Sequence, residues 1–493
     1  MGESSADFDR SADIVVVGFG CAGLAAAISA WRAGAETLVL EKQAQDAHTP
    51  STRMSGGMMM AATDIAGATD YLDRCAGGMV PRDVSEAWAR RAITLIDWLL
   101  EIAPGLDLKH VGGAEHPDFE GAEALGVYQP GGAKTRLDQN GKAGTFLWDQ
   151  LVSNFHEKTK VPVLWNAPAD RLIRNRSGRV IGVETTDGRR IEARKGVILT
   201  CGGYLHNAQM KQDYLRTWPV YFYGNPGNTG DGVRMAQDVG ADLWHMNQMI
   251  GRAIGNFPLE DGSDLPVMLF LNPPGYVITD CNGKRFADES AQADLLHGFY
   301  YHLLSYDPAT GETPRNPSYW FFDEKRRKAG MLTLPSVGAH AVGLYNWSSD
   351  NRAEIERGWI ASGATIAEAA AAAGVEDPEG AEAEVAAYNA ACRDGAPDPH
   401  GRPAETMVPL DEGPFYCVRL YPGGSNTTGG PRRNARAEVL DTRGQPIPGL
   451  FAAGELGQAT GMLYPSDGCN LSEGFCFGQI AAEAALELQE VNT

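Results

Sequence analysis

The earliest strong pattern in the chain is an all-apolar run, Ile14 to Val17, in which hydrophobic residues follow one another instead of alternating with polar ones. A strand covered on both faces, as in a parallel sheet, reads this way. Gly18-Phe19-Gly20-Cys21-Ala22-Gly23 follows at once, then an Ala-rich helical stretch to about Ala33 with Gly34 placed as its stop. A second apolar run, Thr37 to Leu40, ends in Glu41. Together they predict a β-α-β unit carrying G-x-G-x-x-G at its first turn. Gly18 permits the tight turn, Gly20 lets the backbone approach a pyrophosphate, and Gly23 lets helix and strand pack closely. The helix N-terminus offers N–H groups and a positive dipole end to phosphates. Glu41, 18 residues after Gly23, can accept hydrogen bonds from an adenosine ribose. Dinucleotide binding is the expectation.

Later segments fit a flavin. Residues 48–62 form a small-residue stretch along which a flavin could lie. Residues 179–203 read as a β-meander and a buried strand ending in Gly202-Gly203, with turns expected at Asp187-Gly188 and at Lys195-Gly196. Near the C-terminus come a short strand, Gly449 to Ala453, then Gly454-Glu455, a glycine-punctuated loop and a helix from about Leu471. This second β-turn-helix pattern predicts that the last segment folds back onto the N-terminal domain. A helix starting near Asn470 could aim its N–H groups at the N1–C2 carbonyl edge of a reduced flavin. Between these parts lie an aromatic, loop-rich region (256–347) and an Ala/Glu-rich tract (350–392) that reads as ordinary helix.

Composition narrows the partners. At 493 residues the chain has a soft prior of about three domain-sized units. Its 63 Asp and Glu against 42 Lys and Arg give a net charge of -21, which repels a nucleic-acid backbone or an anionic membrane. None of the eight cysteines stands in a C-x-x-C or zinc-like spacing, so no metal is expected and the thiols read as small buried groups. A polar start without an apolar h-region predicts no signal peptide. No apolar run reaches the ~18 residues of a membrane span, and a cytoplasmic home is expected. One G-x-G-x-x-G in a β-α-β context leaves no expected site for NAD(P)H.

In order along the chain stand VVVGFGCAGLAAA…LVLEK, SGG (55–57), GVILTCGGYLHN (196–207), NTGDG (228–232), ITDCNGKRFADE (278–289), RGQPIPGLFAAGE (443–455) and NLSEGFCFGQIAA (470–482). With these the chain resembles the fumarate reductase/3-ketosteroid dehydrogenase flavoproteins over essentially its whole length. The resemblance implies an α/β fold: a Rossmann-like, GR2-type FAD-binding domain interrupted by an α+β catalytic cap. The expected boundaries are 1–250 and 420–493 for the FAD domain and 251–419 for the cap. By similarity, FAD contacts fall to Gly18, Gly20, Cys21, Ala22 and Gly23, to Glu41 and Lys42, and to Ser55, Gly56 and Gly57. Further contacts are implied for Gly202, Asp231, Glu455, Asn470 and Leu471.

The branch of the family is read from the differences. Fumarate reductases carry an Arg proton donor four residues after the Glu of an R-F-x-N-E element. Here the element is Arg285 to Glu289, and that position holds Ala293. A second, carboxylate-binding Arg of the family is missing from the stretch Leu463 to Asn470. A dicarboxylate needs cations to enter a dry site, so a neutral ketone is favoured. Tyr464-Pro465-Ser466, followed by Gly468 and Cys469, resembles the ketosteroid dehydrogenases, above all the 4-dehydrogenase branch. There a Tyr hydroxyl and a backbone N–H hold the ketone and a Ser assists removal of the α-proton. Two donors on the developing enolate oxygen make that proton acidic, and the β-carbon gives hydride to flavin N5.

The usual cap Tyr of that branch is absent, its positions being Gln292 and Ala293. Relay candidates are Tyr128, His297, Tyr300 and Tyr301, and Asp467 is a stronger base than the family normally has at its place. Ser466 and Asp467 could also simply cap the last helix. His206-Asn207 is expected to order a loop, His340 is a further polar candidate, and Arg252 and Arg419 are expected to pair with the FAD domain near the cap hinges. The expected function is FAD-dependent dehydrogenation alpha,beta to a ketone of a cyclic, 3-ketosteroid-like substrate, a step of steroid metabolism, with an unknown electron acceptor or donor. The alternative is a fumarate reductase-like ene-reductase of an unsaturated acid or enone.

Overall fold

The computed structural model describes residues 8–131, 143–270, 275–291, 297–334, 337–338 and 342–489. Gln292, Ala293 and His340 lie outside them. The chain divides into two compact units. One is built from Met1–Tyr214, Asn225–Met249 and Asn426–Thr493, the other from Leu215–Gly224 and Ile250–Ser425.

The three-segment unit is organised on an eight-stranded sheet. Its centre is Arg10–Val17, parallel to Thr37–Leu40 on one side and to Arg190–Leu199 on the other, with Pro446–Ala452 parallel to Arg190–Leu199 beyond that. Ile14, Val15, Val16 and Val17 are buried on both faces, which is why their run is unbroken by polar residues. The helix Cys21–Arg32 follows the glycine turn, and Gly34 ends it at φ +84°.

Lys195-Gly196 is not a turn. Both residues lie inside Arg190–Leu199, beside a bulge where the pairing with Arg10–Val17 shifts register. A Cβ on Gly196 would come within 2.9 Å of the Phe451 ring, so this glycine serves a close approach and not a reversal.

The C-terminal helix, Cys469–Leu486, starts two residues before Leu471 and lies directly on Cys21–Arg32. Gly474 and Gly478, one turn apart, make that approach possible. A Cβ on Gly474 would sit 2.6 Å from Cys21 Sγ, and one on Gly478 would sit 2.4 Å from the Ala22 carbonyl.

The second unit carries a seven-stranded sheet with Phe415–Thr427 as its long member, antiparallel to Ser318–Asp323. The Ala/Glu-rich tract forms the helices Ile366–Ala373 and Pro378–Asp394. Thr365 and Asp377 accept N–H groups at their starts, and Gly374 and Gly395 end them in the left-handed region. These helices bury Ala369, Ala370, Ala381 and Val385 against Val277, Tyr319 and Phe321 of the sheet. The stretch holding Tyr300 and Tyr301 is a 3-10 turn, Phe299–Leu303. Arg285 and Glu289 of the R-F-A-D-E element form a buried two-pronged ion pair (2.6 and 2.7 Å), with Asp398 at 2.6 Å on the third nitrogen. That element braces the unit.

Candidate cofactor and active site

The glycine turn has the geometry its spacing predicts. Gly18 takes φ +100°, with a hypothetical Cβ 2.7 Å from the Thr200 carbonyl, and a Cβ on Gly23 would lie 2.0 Å from the Gly18 carbonyl. Gly20 differs, because its nearest neighbour on that side is Thr52 Oγ1 at 3.7 Å. The space over Gly20 is thus open while those over Gly18 and Gly23 are filled by protein. Gly20 leads a helix with no side-chain cap and no acid in its first turn, so the positive helix end awaits an anion. The Cys21 N–H goes to Thr52 Oγ1 at 3.0 Å. The Cys21 thiol is held protonated, its pKa pushed up to about 12 by burial.

Glu41 closes the second strand with both oxygens fixed, Oε2 accepting from Phe19 N–H (2.9 Å) and Oε1 from Gln43 N–H (2.8 Å). Burial raises its pKa, but the His48 side chain and these amides outweigh that and bring it below the usual carboxylate range. An ionised acceptor results, as a ribose diol requires.

Lys42 and Asp231 meet in an ion pair at 2.6 Å, with Thr229 Oγ1 on the same ammonium. Ser55 turns inward to its own loop, donating to the Thr52 carbonyl and accepting the Gly57 N–H. Gly56 gives its carbonyl to Gln129, and Gly57, at φ +67°, abuts the backbone of Ala143. Gly202, at φ +73°, lies against the Asn228 amide, which donates to Glu455 Oε2 at 2.9 Å, with Ser51 Oγ on the same oxygen at 3.4 Å. Burial pushes the Glu455 pKa up to about 7.

Asn470 spends its side chain within the protein, accepting from Gln458 and donating to Asn426, each at 2.8 Å. Asn426 in turn reaches Gln458 Oε1 at 3.3 Å, closing a ring of three amides. The Asn470 backbone N–H is turned to the Tyr464 hydroxyl, so what the start of this helix offers a ligand is backbone at Leu471. Gly468 is its N-cap at φ +86°, again with no side-chain cap and no acid in the first turn.

Two open, glycine-led helix ends and an ionised acid at the second strand fit FAD, with pyrophosphate at Gly20 to Gly23 and ribose at Glu41. Thr52, Ser51, Asn228, Gln458 and Asn426 hydrogen-bond to Cys21, Glu455 and Asn470 and so hold these residues in place. Asn228 stands inside NTGDG and Ser51 and Thr52 inside the 48–62 stretch, whereas Gln458 and Asn426 had no sequence signal.

The Tyr464 loop is pinned at three points. The Pro465 carbonyl accepts from Tyr71 Oη (2.6 Å) and Glu115 N–H (2.9 Å), Ser466 Oγ donates to the Gly113 carbonyl at 2.5 Å, and Leu463 N–H reaches the Cys75 carbonyl at 2.9 Å. Tyr464 is buried, and its phenol pKa is held well above the ordinary range by burial first, then by Cys469, Asp467 and Glu115, with the Asn470 amide opposing.

Neither Ser466 nor Asp467 caps the last helix: the Ser466 hydroxyl is on Gly113 and Asp467 is exposed. Of the two expected amide donors, Cys469 N–H is taken by the Ser466 carbonyl at 3.2 Å, while Gly468 N–H has no partner among the described residues.

Tyr128 sits on Leu125–Pro130 with its ring edge-on to His110 at 5.4 Å. Tyr300 belongs to the other unit. Its ring packs on Gly251, burial raises its phenol pKa, and its hydroxyl has no partner among the described residues.

His206-Asn207 orders its loop as expected, through His206 N–H to Asn228 and Asn207 Oδ1 to Met210 N–H. Among the described residues Arg252 and Arg419 do not make the expected ion pairs. Arg419 Nε donates to the Ala373 carbonyl at 2.6 Å, capping a helix end, and Arg252 turns into its own unit.

Fold and site together define a flavoprotein oxidoreductase. The chain belongs to the FAD binding domain family, whose pattern matches residues 13–471. It is 25% identical to a digoxin reductase of Eggerthella lenta over 98% of this chain and 88% of that one. Identity is 27% with a 3-oxosteroid 1-dehydrogenase of Mycolicibacterium smegmatis, covering 95% and 96% of the two chains. It is 28% with a 4-oxocyclohexanecarboxylate 2-dehydrogenase of Sinomonas cyclohexanicum, covering 95% and 92%. In fold it is similar to the crystal structure of the 3-ketosteroid Δ1-dehydrogenase from Sterolibacterium denitrificans, with a TM-score of 0.80 over 97% of this chain and all of that one, at 23% identity. FAD is the cofactor, and the chain is an FAD-dependent oxidoreductase acting on carbon–carbon bonds. Among the described residues no helix is long and apolar enough to cross a membrane.

Proposed function

We propose that this protein introduces a C=C bond alpha,beta to the ketone of a small cyclic substrate. The observation that carries the reading is the Tyr464 loop. A phenol held in its protonated form and the Gly468 N–H, four residues apart on a loop fixed at three points, make two donors for one carbonyl oxygen. Donors that stay fixed while charge develops lower the barrier to an enolate. A phenol with so high a pKa gives a hydrogen bond and does not take a proton, so Tyr464 is assigned the oxyanion role and not that of base. The Ser466 hydroxyl is committed to Gly113, which supports a part in holding the loop. Bound FAD supplies the hydride acceptor. A 3-ketosteroid and a 4-oxocyclohexane acid are the two substrate types that the relatives' names support.

The test is anaerobic mixing of the yellow holoenzyme with cyclic ketones while absorbance near ~450 nm is followed. Bleaching by a ketone is expected. Tyr464→Phe should slow it about 10²- to 10³-fold, as loss of one oxyanion donor does elsewhere, with FAD content unchanged. If no ketone bleaches the flavin and the reduced enzyme is reoxidised by an enone or unsaturated acid, the reaction runs toward saturation. That second reading is favoured by the digoxin reductase relative, since the same two donors polarise an enone for hydride addition.

A further inference from the structure

Tyr71 is fully buried on the helix Ile65–Ala76 of the cofactor unit. Both ends of that helix are fixed, by Asp64 accepting the Gly67 N–H at its start and by Gly77 at φ +59° at its end. The Tyr71 hydroxyl donates to the Pro465 carbonyl at 2.6 Å and accepts the His116 N–H at 3.1 Å. The neighbouring Glu115 N–H reaches the same carbonyl at 2.9 Å. One side chain thus joins its helix to segments 45 and 394 residues further along the chain. The helix also meets the loop earlier on: the Cys75 carbonyl accepts the Leu463 N–H, and a Cβ on Gly461 would come within 2.2 Å of Ala76 Cα.

A buried tyrosine commonly finds a hydrogen-bond partner, so the bond alone would mark a packing residue. Where it lands sets Tyr71 apart. Proline has a fixed φ and no N–H, so the carbonyl is the one backbone group by which Pro465 can be held. Pro465 stands between the two proposed carbonyl donors, directly after Tyr464 and three residues before Gly468. Two donors serve one oxygen only if both stay within about 0.5 Å of the productive geometry. An error of ~1 Å can cost about 10²-fold in rate. Burial, with Cys75 next, holds the Tyr71 phenol well above its usual pKa range, so this donor keeps its proton.

We infer that Tyr71 is a positioning residue for substrate activation: by holding the Pro465 carbonyl it sets Tyr464 Oη and the Gly468 N–H on one ketone oxygen. It acts through the loop and not on the substrate. The inference deepens the proposed function and rests on it, because the two donors belong to that reading. No motif announces Tyr71, since its partners are backbone groups of distant loops.

The test reads the donors directly, without turnover. Carbonyl-labelled 2-cyclopentenone is bound to the oxidised holoenzyme, and isotope-edited infrared difference spectra follow its C=O stretch. Wild type should lower that stretch, and Tyr71→Phe, which removes only the hydroxyl and keeps the ring on Phe119, should return part of the shift. Most of that effect should vanish in a Tyr464→Phe background, because a residue acting through another is not additive with it. Flavin bleaching by a responsive ketone should slow roughly 10-fold in Tyr71→Phe, less than a full misplacement costs because the Glu115 N–H still holds Pro465. The loss should fall on the limiting rate and not on the half-saturating concentration. Tyr71→Phe with an unchanged stretch, with an equal effect in both backgrounds, or with lost FAD or fold overturns the inference and leaves Tyr71 a packing residue. If wild type shows no shift, or Tyr464→Phe leaves it intact, the two-donor reading falls and takes this inference with it. A Tyr71-dependent shift with no bleaching by any ketone would sink the proposed direction of reaction and keep the positioning role.

Discussion

At the scale of single residues, environment decides what each acid or phenol can do. Tyr464 and Glu455 are both pushed toward their protonated forms by burial, while Glu41, held by amides and His48, is drawn toward its ionised form. For Glu455 this carries a pH signature. Its pKa is about 7 in the fold and about 4.3 in an unfolded chain, so between those values the folded state holds the extra proton. The stability it contributes is fully present below the unfolded value and is lost as pH rises through 7. Urea unfolding of cofactor-stripped protein at pH 5 and pH 8 should show a loss of stability that Glu455→Gln largely removes. Equal slopes in the two proteins would mean that Glu455 is already ionised at pH 5. The sequence marked Glu41 by its place after the second strand and Glu455 by its glycine. It did not mark their opposite charge states, which come from His48 beside Glu41 and from the depth of burial of Glu455.

At the scale of elements, the decisive contact is between the first and last helices. Gly478 within Cys469–Leu486 costs about 1 kcal/mol of helix propensity relative to Ala, so an alanine there should help an isolated helix. In this fold its Cβ would press into the Ala22 carbonyl at 2.4 Å. Overpacking of this kind typically costs 1–3 kcal/mol. Gly478→Ala is therefore expected to lower the melting temperature and to weaken FAD binding, since Ala22 stands in the turn proposed to hold the pyrophosphate. A variant more stable than wild type would show that the helices part at no cost. Lys195-Gly196 teaches the same lesson from the other side. A charged residue beside a glycine reads as a turn, but here the glycine admits the Phe451 ring, a contact from 255 residues further along the chain. Local pattern holds no record of it.

At the scale of the whole molecule, the cofactor unit is assembled from both ends of the chain. Strands from near residues 10, 190 and 446 share one sheet, and the proposed FAD contacts come from the first and last segments alike. Binding FAD should thus stabilise all three segments together. Adding it at 100 times its dissociation constant is expected to raise the unfolding free energy by about 2.7 kcal/mol. Denaturant curves of stripped and reconstituted protein measure this, with tryptophan fluorescence and far-ultraviolet dichroism as paired probes. Coincident transitions are expected within the cofactor unit, and a C-terminal helix that unfolds apart from the rest would contradict the arrangement.

By itself the sequence determined the β-α-β start, the return of the chain to it, the cofactor and the class of reaction. The first two rest on spacing between near neighbours: a glycine turn needs three glycines at fixed offsets, and a buried parallel strand needs a run without polar breaks; the cofactor and the class of reaction came from the resemblance of the ordered motifs to a known family. The tertiary structure alone decided which amides Asn470 binds, which hydrogen bonds pin the Tyr464 loop, that Ser466 is spent on Gly113, and that Arg252 is buried against His297. Each of these joins residues far apart in the chain, and their energies depend on distance and desolvation, quantities that exist only once the chain has folded.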